Sequence, residues 1–245
     1  MKPTLIVALD VPSAAAVENL VTMLPPAVTH YKVGLELFIS DGPAALDVLA
    51  RHDKRVFLDL KLHDIPRQVA RAVTAASRHR VALLTVHAAG GRAMLEAAAE
   101  AARSAGRNRP KIVAVTTLTC LDEKDLRDIG VTRGVAEQTA AMGRLALDAG
   151  IDGLVCSPLE IKDFRHNIGT GPILVTPGVR PAGAPRGDQK RVATPSEAVR
   201  DGSNYLVVGR PILQADRPAA AAEAMLREIE TSPRDAQQGG KHDDP

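Results

Sequence analysis

The sequence predicts a single (β/α)8 barrel of the TIM-barrel type, on three observations. Eight short, nearly continuous apolar runs recur along the chain, Ala-rich segments of helical period separate them, and 245 residues is the length of one such barrel. The runs span residues 5–9, 30–33, 56–60, 83–86, 112–116, 153–156, 173–175 and 205–208. Strands that are apolar along their whole length are buried on both faces, as a parallel sheet clothed in helices requires. Eight of them favour closure over an open doubly wound sheet. The intervening segments, such as 14–23, 69–77, 91–104 and 135–149, have helical spacing, and several open on Ser, Asp or Pro and close near Gly. Residues 1–230 are expected to form one barrel domain. Residues 231–245, TSPRDAQQGGKHDDP, are polar and rich in Gly and Pro, and are expected to be disordered.

Composition narrows the function. Aromatics make up 2% of the chain and Trp is absent, which removes the stacking platform that single-stranded nucleic acid needs. A net charge of +2 with both signs interspersed provides no long-range field for nucleic acid or an anionic membrane, so any bound anion must be met by a local site. No run approaches the ~20 apolar residues of a membrane span, and the short apolar start, closed by Asp10 and Pro12, is not a signal segment. Cys120 and Cys156 are too far apart for a metal-type pair and too few for a disulfide scaffold, so both are expected to be buried reduced thiols in a cytoplasmic protein.

Several strands end in polar residues: Asp10, Lys32, Asp59 with Lys61, His87, Thr119 just past the fifth run, and Gly209 with Arg210. In a barrel these ends share the rim where catalytic groups collect. The densest stretch is FLDLKLHDIP, residues 57–66. Strand alternation sends Asp59 and Lys61 into the mouth and Leu58 and Leu60 toward the helices. An Asp-Lys pair alone serves as barrel closure. Asp10 and Lys32 on the first two strands make two carboxylates and two ammoniums, more than closure needs.

After the eighth strand, Gly209 lets a backbone N–H approach an anion and Arg210 supplies a bidentate fork, at the position where such barrels hold phosphate. The segment PGVRPAGAPRGDQ, residues 177–189, follows the seventh strand and reads as a lid over that phosphate. His63 and His87 read as packing residues near the rim, and His52 and His79 as surface residues.

Asp59-x-Lys61-x-x-Asp64-Ile65-Pro66 resembles the signature of the orotidine 5′-phosphate decarboxylases. The likeness extends through VALD at Asp10, YKVG at Lys32, VHAAGG at His87, VTTLTC at Thr119, TPGVRP at 176–181, DQKRVATP at 188–195 and VVGRPI at 207–212. The D-x-K-x-x-D element alone is shared with related sugar-phosphate decarboxylases, whereas the full ordered set is specific.

The resemblance implies decarboxylation of orotidine 5′-phosphate to uridine 5′-phosphate in pyrimidine biosynthesis, with no metal and no organic cofactor. Lys61 matches the acid that protonates C6 after carbon dioxide leaves, and Asp59 the carboxylate facing the departing group. Asp10 and Lys32 match ribose contacts, and Thr119 the pyrimidine contact. Arg180 and Gln189 match phosphate contacts of the lid, beside Gly209 and Arg210, while Arg186 and Lys190 match no such role. Asp64 corresponds to a residue supplied across a homodimer, where it completes an alternating array with Lys32, Asp59 and Lys61. Gln68 departs from the pattern, which has Thr there for a ribose contact across the same interface.

Two rivals differ in what they need. A metal-dependent sugar-phosphate decarboxylase or aldolase shares D-x-K-x-x-D but does not predict TPGVRP with DQKR. A non-catalytic phosphometabolite-binding barrel keeps Gly209 and Arg210 and has no use for alternating charges.

Overall fold

The computed structural model describes residues 2–182 and 192–233. Strands β1 (Thr4–Leu9), β2 (His30–Val33), β3 (Arg55–Leu62), β4 (Leu83–His87), β5 (Lys111–Val115), β6 (Gly153–Val155), β7 (Ile173–Thr176) and β8 (Tyr205–Val208) pair in chain order. All the pairings are parallel, and β8 returns to β1 to close the barrel. Helices α1 (Ala14–Met23), α2 (Leu35–Asp41), α3 (Pro43–Arg51), α4 (Pro66–Arg78), α5 (Gly91–Ser104), α6 (Glu123–Asp128), α7 (Val135–Asp148), α8 (Ile161–Ile168), α9 (Pro195–Arg200), α10 (Arg210–Leu213) and α11 (Pro218–Thr231) form the connections. Each of the eight predicted strands is present.

Local chemistry sets the helix starts. The Ser13 hydroxyl accepts the Ala16 N–H to open α1, and Asp122 and Thr194 open α6 and α9 as capping boxes closed by Asp125 and Glu197. Pro stands in the first turn of α3, α4, α9 and α11, where its missing N–H costs nothing.

The core has two layers, and strand alternation separates them. Ile6, Ala8, Phe57, Leu83, Val113, Ile173, Val175 and Val207 fill the barrel interior. Leu5, Val7, Leu9, Tyr31, Val33 and Leu58 face outward and pack with helix residues such as Val17, Leu49, Val73 and Leu95. Each such buried side chain contributes about 1.5–3 kcal/mol relative to exposure.

The N-terminal end of the barrel is tied by one side chain. Arg165 of α8, 6% exposed, donates to the carbonyls of Gly169, Pro172 and Gly202 and to Asn204 Oδ1. Asn204 Oδ1 also accepts the Leu174 N–H, so α8, β7 and β8 share one buried knot. It lies at the end opposite the charged rim, where residues serve stability.

Three details differ from expectation. Strand β3 continues two residues beyond Leu60 to Leu62. Cys156 is buried, but Cys120 is exposed, since it falls in the turn after β5 and not in the strand. His52, the C-cap of α3, is bonded to Glu18 of α1 instead of being solvated.

Candidate active site

A row of alternating charges lines one wall of the barrel mouth. Lys32 Nζ stands 3.2 Å from Asp10 Oδ1 and 3.9 Å from Asp59 Oδ2, and Lys61 Nζ lies 3.0 Å from Asp59 Oδ1. Asp59 and Lys32 are the deepest, with side chains 14% and 15% exposed, whereas Lys61 at 33% and Asp10 at 54% open toward solvent. Burying charges is costly unless each finds a partner, and alternation gives every member one.

The backbone that carries this wall is irregular. From Leu58↔Leu84 the next pairing of β3 with β4 is Leu62↔Val86, four residues on against two, so β3 carries a bulge of two extra residues. Two extra residues preserve inside-outside parity, and Leu60 and Leu62 still pack on the outer core beside Leu58. Within the bulge Lys61 has φ +49°, the left-handed region, which costs a non-glycine residue roughly 1–3 kcal/mol. The Lys61 N–H donates to Thr85 Oγ1 at 2.7 Å, and that hydroxyl donates to Asp59 Oδ1 at 3.1 Å.

Two glycines leave room for the charges. A Cβ on Gly34 would fall 2.8 Å from Lys32 Nζ, and one on Gly209 would fall 3.1 Å from Asp10 Oδ2 and 3.4 Å from Ala8 Cβ. Gly209 therefore sits against the first strand's carboxylate, with Arg210 next to it at the start of α10.

The cavity behind the charged wall holds about 190 Å³. Its remaining walls are mostly apolar, formed by Phe57, Val115, Val155, Val175, Pro177 and Val207, with Thr117 and Thr119 facing in. Thr117 Oγ1 is buried with no hydrogen-bond partner among the described residues. The cavity thus offers a charged wall, an apolar floor and a free hydroxyl, a combination suited to a planar, partly polar ligand.

The remaining predicted residues fall around this centre. Arg180 is 8% exposed, and its main chain pairs with Ala193 across the neck of the segment after β7. Gln189, Arg186 and Lys190 lie outside the described residues. Asp64 and Gln68 are exposed at the start of α4, and the Asp64 carboxylate accepts the N–H of Ile65 at 2.6 Å. Within its own chain Asp64 makes no ion pair with Lys61 among the described residues, so the fourfold row here is Asp10, Lys32, Asp59 and Lys61.

His63 and His87 stack at the rim, with ring centroids 5.4 Å apart and planes at 13°. His87 Nδ1 accepts the Ala89 N–H at 3.2 Å. Burial, then the His63 ring, then the Lys61 ammonium hold the His87 imidazole below its usual range, so it stays neutral. Thr85, Thr117 and Gly34 were not singled out from the sequence. Thr85 is the one polar residue inside the apolar run 83–86, whereas Thr117 lies past the end of β5.

Comparison with known proteins places this geometry. The sequence model of the orotidine 5′-phosphate decarboxylase / HUMPS family matches residues 3–225. Orotidine 5′-phosphate decarboxylase of Moorella thermoacetica is 54% identical over 234 residues, covering 94% of this chain and 93% of that protein. The enzyme of the same name from Anaeromyxobacter sp. (strain K) is 50% identical over 227 residues, covering 92% and 98%. The crystal structure of orotidine 5′-phosphate decarboxylase from Lactobacillus acidophilus superposes with a TM-score of 0.83 at 37% identity, covering 94% of this chain and 99% of that one. The barrel is that of a known group, and this chain belongs to the orotidine 5′-phosphate decarboxylase / HUMPS family.

Proposed function

We propose that this chain decarboxylates orotidine 5′-phosphate to uridine 5′-phosphate, the carboxy-lyase step of pyrimidine biosynthesis, by electrostatics alone. The observation that carries the proposal is the row Asp10, Lys32, Asp59, Lys61 beside a largely apolar cavity. Asp59 faces the substrate carboxylate and Lys61 faces C6. As the C–C bond breaks, its electron pair stays on C6 and carbon dioxide leaves. The Lys61 ammonium stabilises that charge, then gives C6 its proton, and solvent reprotonates the amine. Crowding two carboxylates together raises the ground state, and contacts to the remote phosphate hold the substrate there.

Arg210, the Gly209 N–H and Arg180 grip the phosphate, and Gln189, which lies outside the described residues, is assigned to the same grip by the resemblance alone. Asp10 and Lys32 take the ribose hydroxyls and Thr119 the pyrimidine edge. Asp64 and Gln68 act across a two-fold interface, and the outward exposure of both supports this. Leu35, Ile39 and Ile65, which are 50%, 79% and 64% exposed on neighbouring βα connections, provide apolar surface for that homodimer. The catalytic unit is the barrel of residues 1–230. Cys120 and Cys156, which form no disulfide among the described residues, fit a cytoplasmic enzyme.

Lys32 distinguishes this reading from a metal-dependent sugar-phosphate enzyme, because its ammonium already pairs with the Asp10 and Asp59 carboxylates that would have to serve a divalent cation as ligands. The test is incubation of the purified chain with orotidine 5′-phosphate in excess chelator while following loss of ultraviolet absorbance. Uridine 5′-phosphate and carbon dioxide are expected in equal amounts. Activity that vanishes with chelator and returns with a divalent metal refutes the proposal, and so does an unchanged substrate.

A further inference from the structure

The geometry points to Thr85 as a positioning residue whose single hydroxyl fixes both the Lys61 main chain and the Asp59 carboxylate in one arrangement. The inference rests on the roles proposed above for Lys61 and Asp59. Thr85 lies on β4, wholly buried, at the place where the ladder to β3 is interrupted. Residues 59–61 bulge past it, so the Lys61 N–H has no strand carbonyl to meet and finds Thr85 Oγ1 at 2.7 Å instead. The same oxygen spends its own hydrogen on Asp59 Oδ1 at 3.1 Å.

A hydroxyl that accepts from one group and donates to the other has its one proton committed and its orientation fixed. Two consequences follow. Lys61 is held at φ +49°, a conformation it would leave if its N–H were released. Asp59 is held with Oδ1 toward Lys61 and Thr85 and Oδ2 toward Lys32. Threonine suits the task because its branched Cβ restricts χ1, so the hydroxyl is aimed at little entropic cost. Valine has the same shape and neither hydrogen bond, and serine has the hydroxyl without the branch.

The experiment compares Thr85→Val and Thr85→Ser with wild type for kcat, KM, uridine 5′-phosphate affinity and thermal midpoint. An interaction that matters only for the placement of reacting groups lowers kcat and spares binding, so Thr85→Val is expected to lose about thirtyfold or more in kcat with product affinity within about threefold. Thr85→Ser is expected to recover kcat to within about threefold of wild type, since it restores both bonds. If Thr85→Val does not fold, Thr85→Cys keeps the volume with a weak donor and is expected to show the same split.

The assignment is overturned if Thr85→Val keeps wild-type kcat, if Thr85→Ser is as slow as Thr85→Val, or if kcat and product binding fall together. Lys61→Ala in the same assay separates two kinds of failure. A fully active Lys61→Ala chain removes the donor role and the role of Thr85 with it. An inactive Lys61→Ala chain beside a fully active Thr85→Val chain removes only the role of Thr85.

Discussion

Replacing Lys61 by Ala removes two contributions that the site geometry allows to be sized separately. The first is charge. A unit negative charge developing ~4 Å from an ammonium in a surroundings of effective dielectric ~20 gains about 4 kcal/mol, close to a thousandfold in rate. The second is proton delivery, for which a positioned acid contributes about a hundredfold or more. The product is a loss of about five orders of magnitude in kcat, with much of the binding retained because the proposed phosphate grip uses other residues, Gly209 and Arg210 after β8. The fold is expected to survive, since Asp59 keeps the Thr85 hydroxyl on Oδ1 and Lys32 beside Oδ2 after Lys61 is gone. Turnover is read from loss of substrate absorbance, binding by calorimetry with uridine 5′-phosphate, and folding by the thermal midpoint. A kcat that falls less than about tenfold, equivalent to about 1.4 kcal/mol of barrier, refutes the assignment of Lys61 as the donor.

Further outcomes are expected from the same framework. Arg210→Ala lowers kcat/KM for orotidine 5′-phosphate by about 2–5 kcal/mol through loss of a charged phosphate contact, and leaves turnover of the nucleoside unchanged; equal losses with both substrates refute the grip. Inactive Lys61→Ala and Asp64→Ala chains, dissociated and remixed, regain about a quarter of wild-type activity, since half the dimers are mixed and each carries one intact site; no gain after confirmed subunit exchange places Asp64 in its own site. Arg165→Met breaks the knot of α8, β7 and β8 and costs about 3–5 kcal/mol, because buried acceptors lose a charged donor; chemical denaturation showing a loss under about 1 kcal/mol refutes it. Burial, then the nearby Arg55 charge, lower the His30 imidazole to about 4 from 6.5. The unfolded chain therefore binds more protons between those values, and the contribution of the neutral ring is full above pH 6.5 and is lost as pH falls to 4. For a fully buried ring the shift is worth about 3 kcal/mol, discounted to roughly 1–2 for partial exposure; His30→Gln should flatten the stability profile by that amount in that window, and an unchanged slope refutes it.

The barrel was legible in the sequence because parallel strands buried on both faces leave an apolar signature that no exposed element imitates. Parity was legible for the same reason: alternation from Ile6 to Ala8 to Asp10, or from Phe57 to Asp59 to Lys61, tells which side chains meet inside regardless of local detail. The bulge in β3 was not legible, because inserting two residues leaves parity intact and so leaves the hydrophobic pattern unchanged. Thr85 was obscured by the same event. Its importance comes from a ladder position vacated by the neighbouring strand, and nothing within LLTVH records what β3 does opposite it. Gly34 was missed for a related reason, since the ammonium that needs its missing Cβ belongs to a side chain two residues earlier that reaches forward along its own strand. The charges that announce the chemistry are thus written in the local sequence, whereas the groups that aim them are defined by contacts between strands. The sharpest test of that division is the contrast between Lys61→Ala, which removes a charge read directly from the motif, and Thr85→Val, which removes no charge and is nevertheless expected to slow the same step.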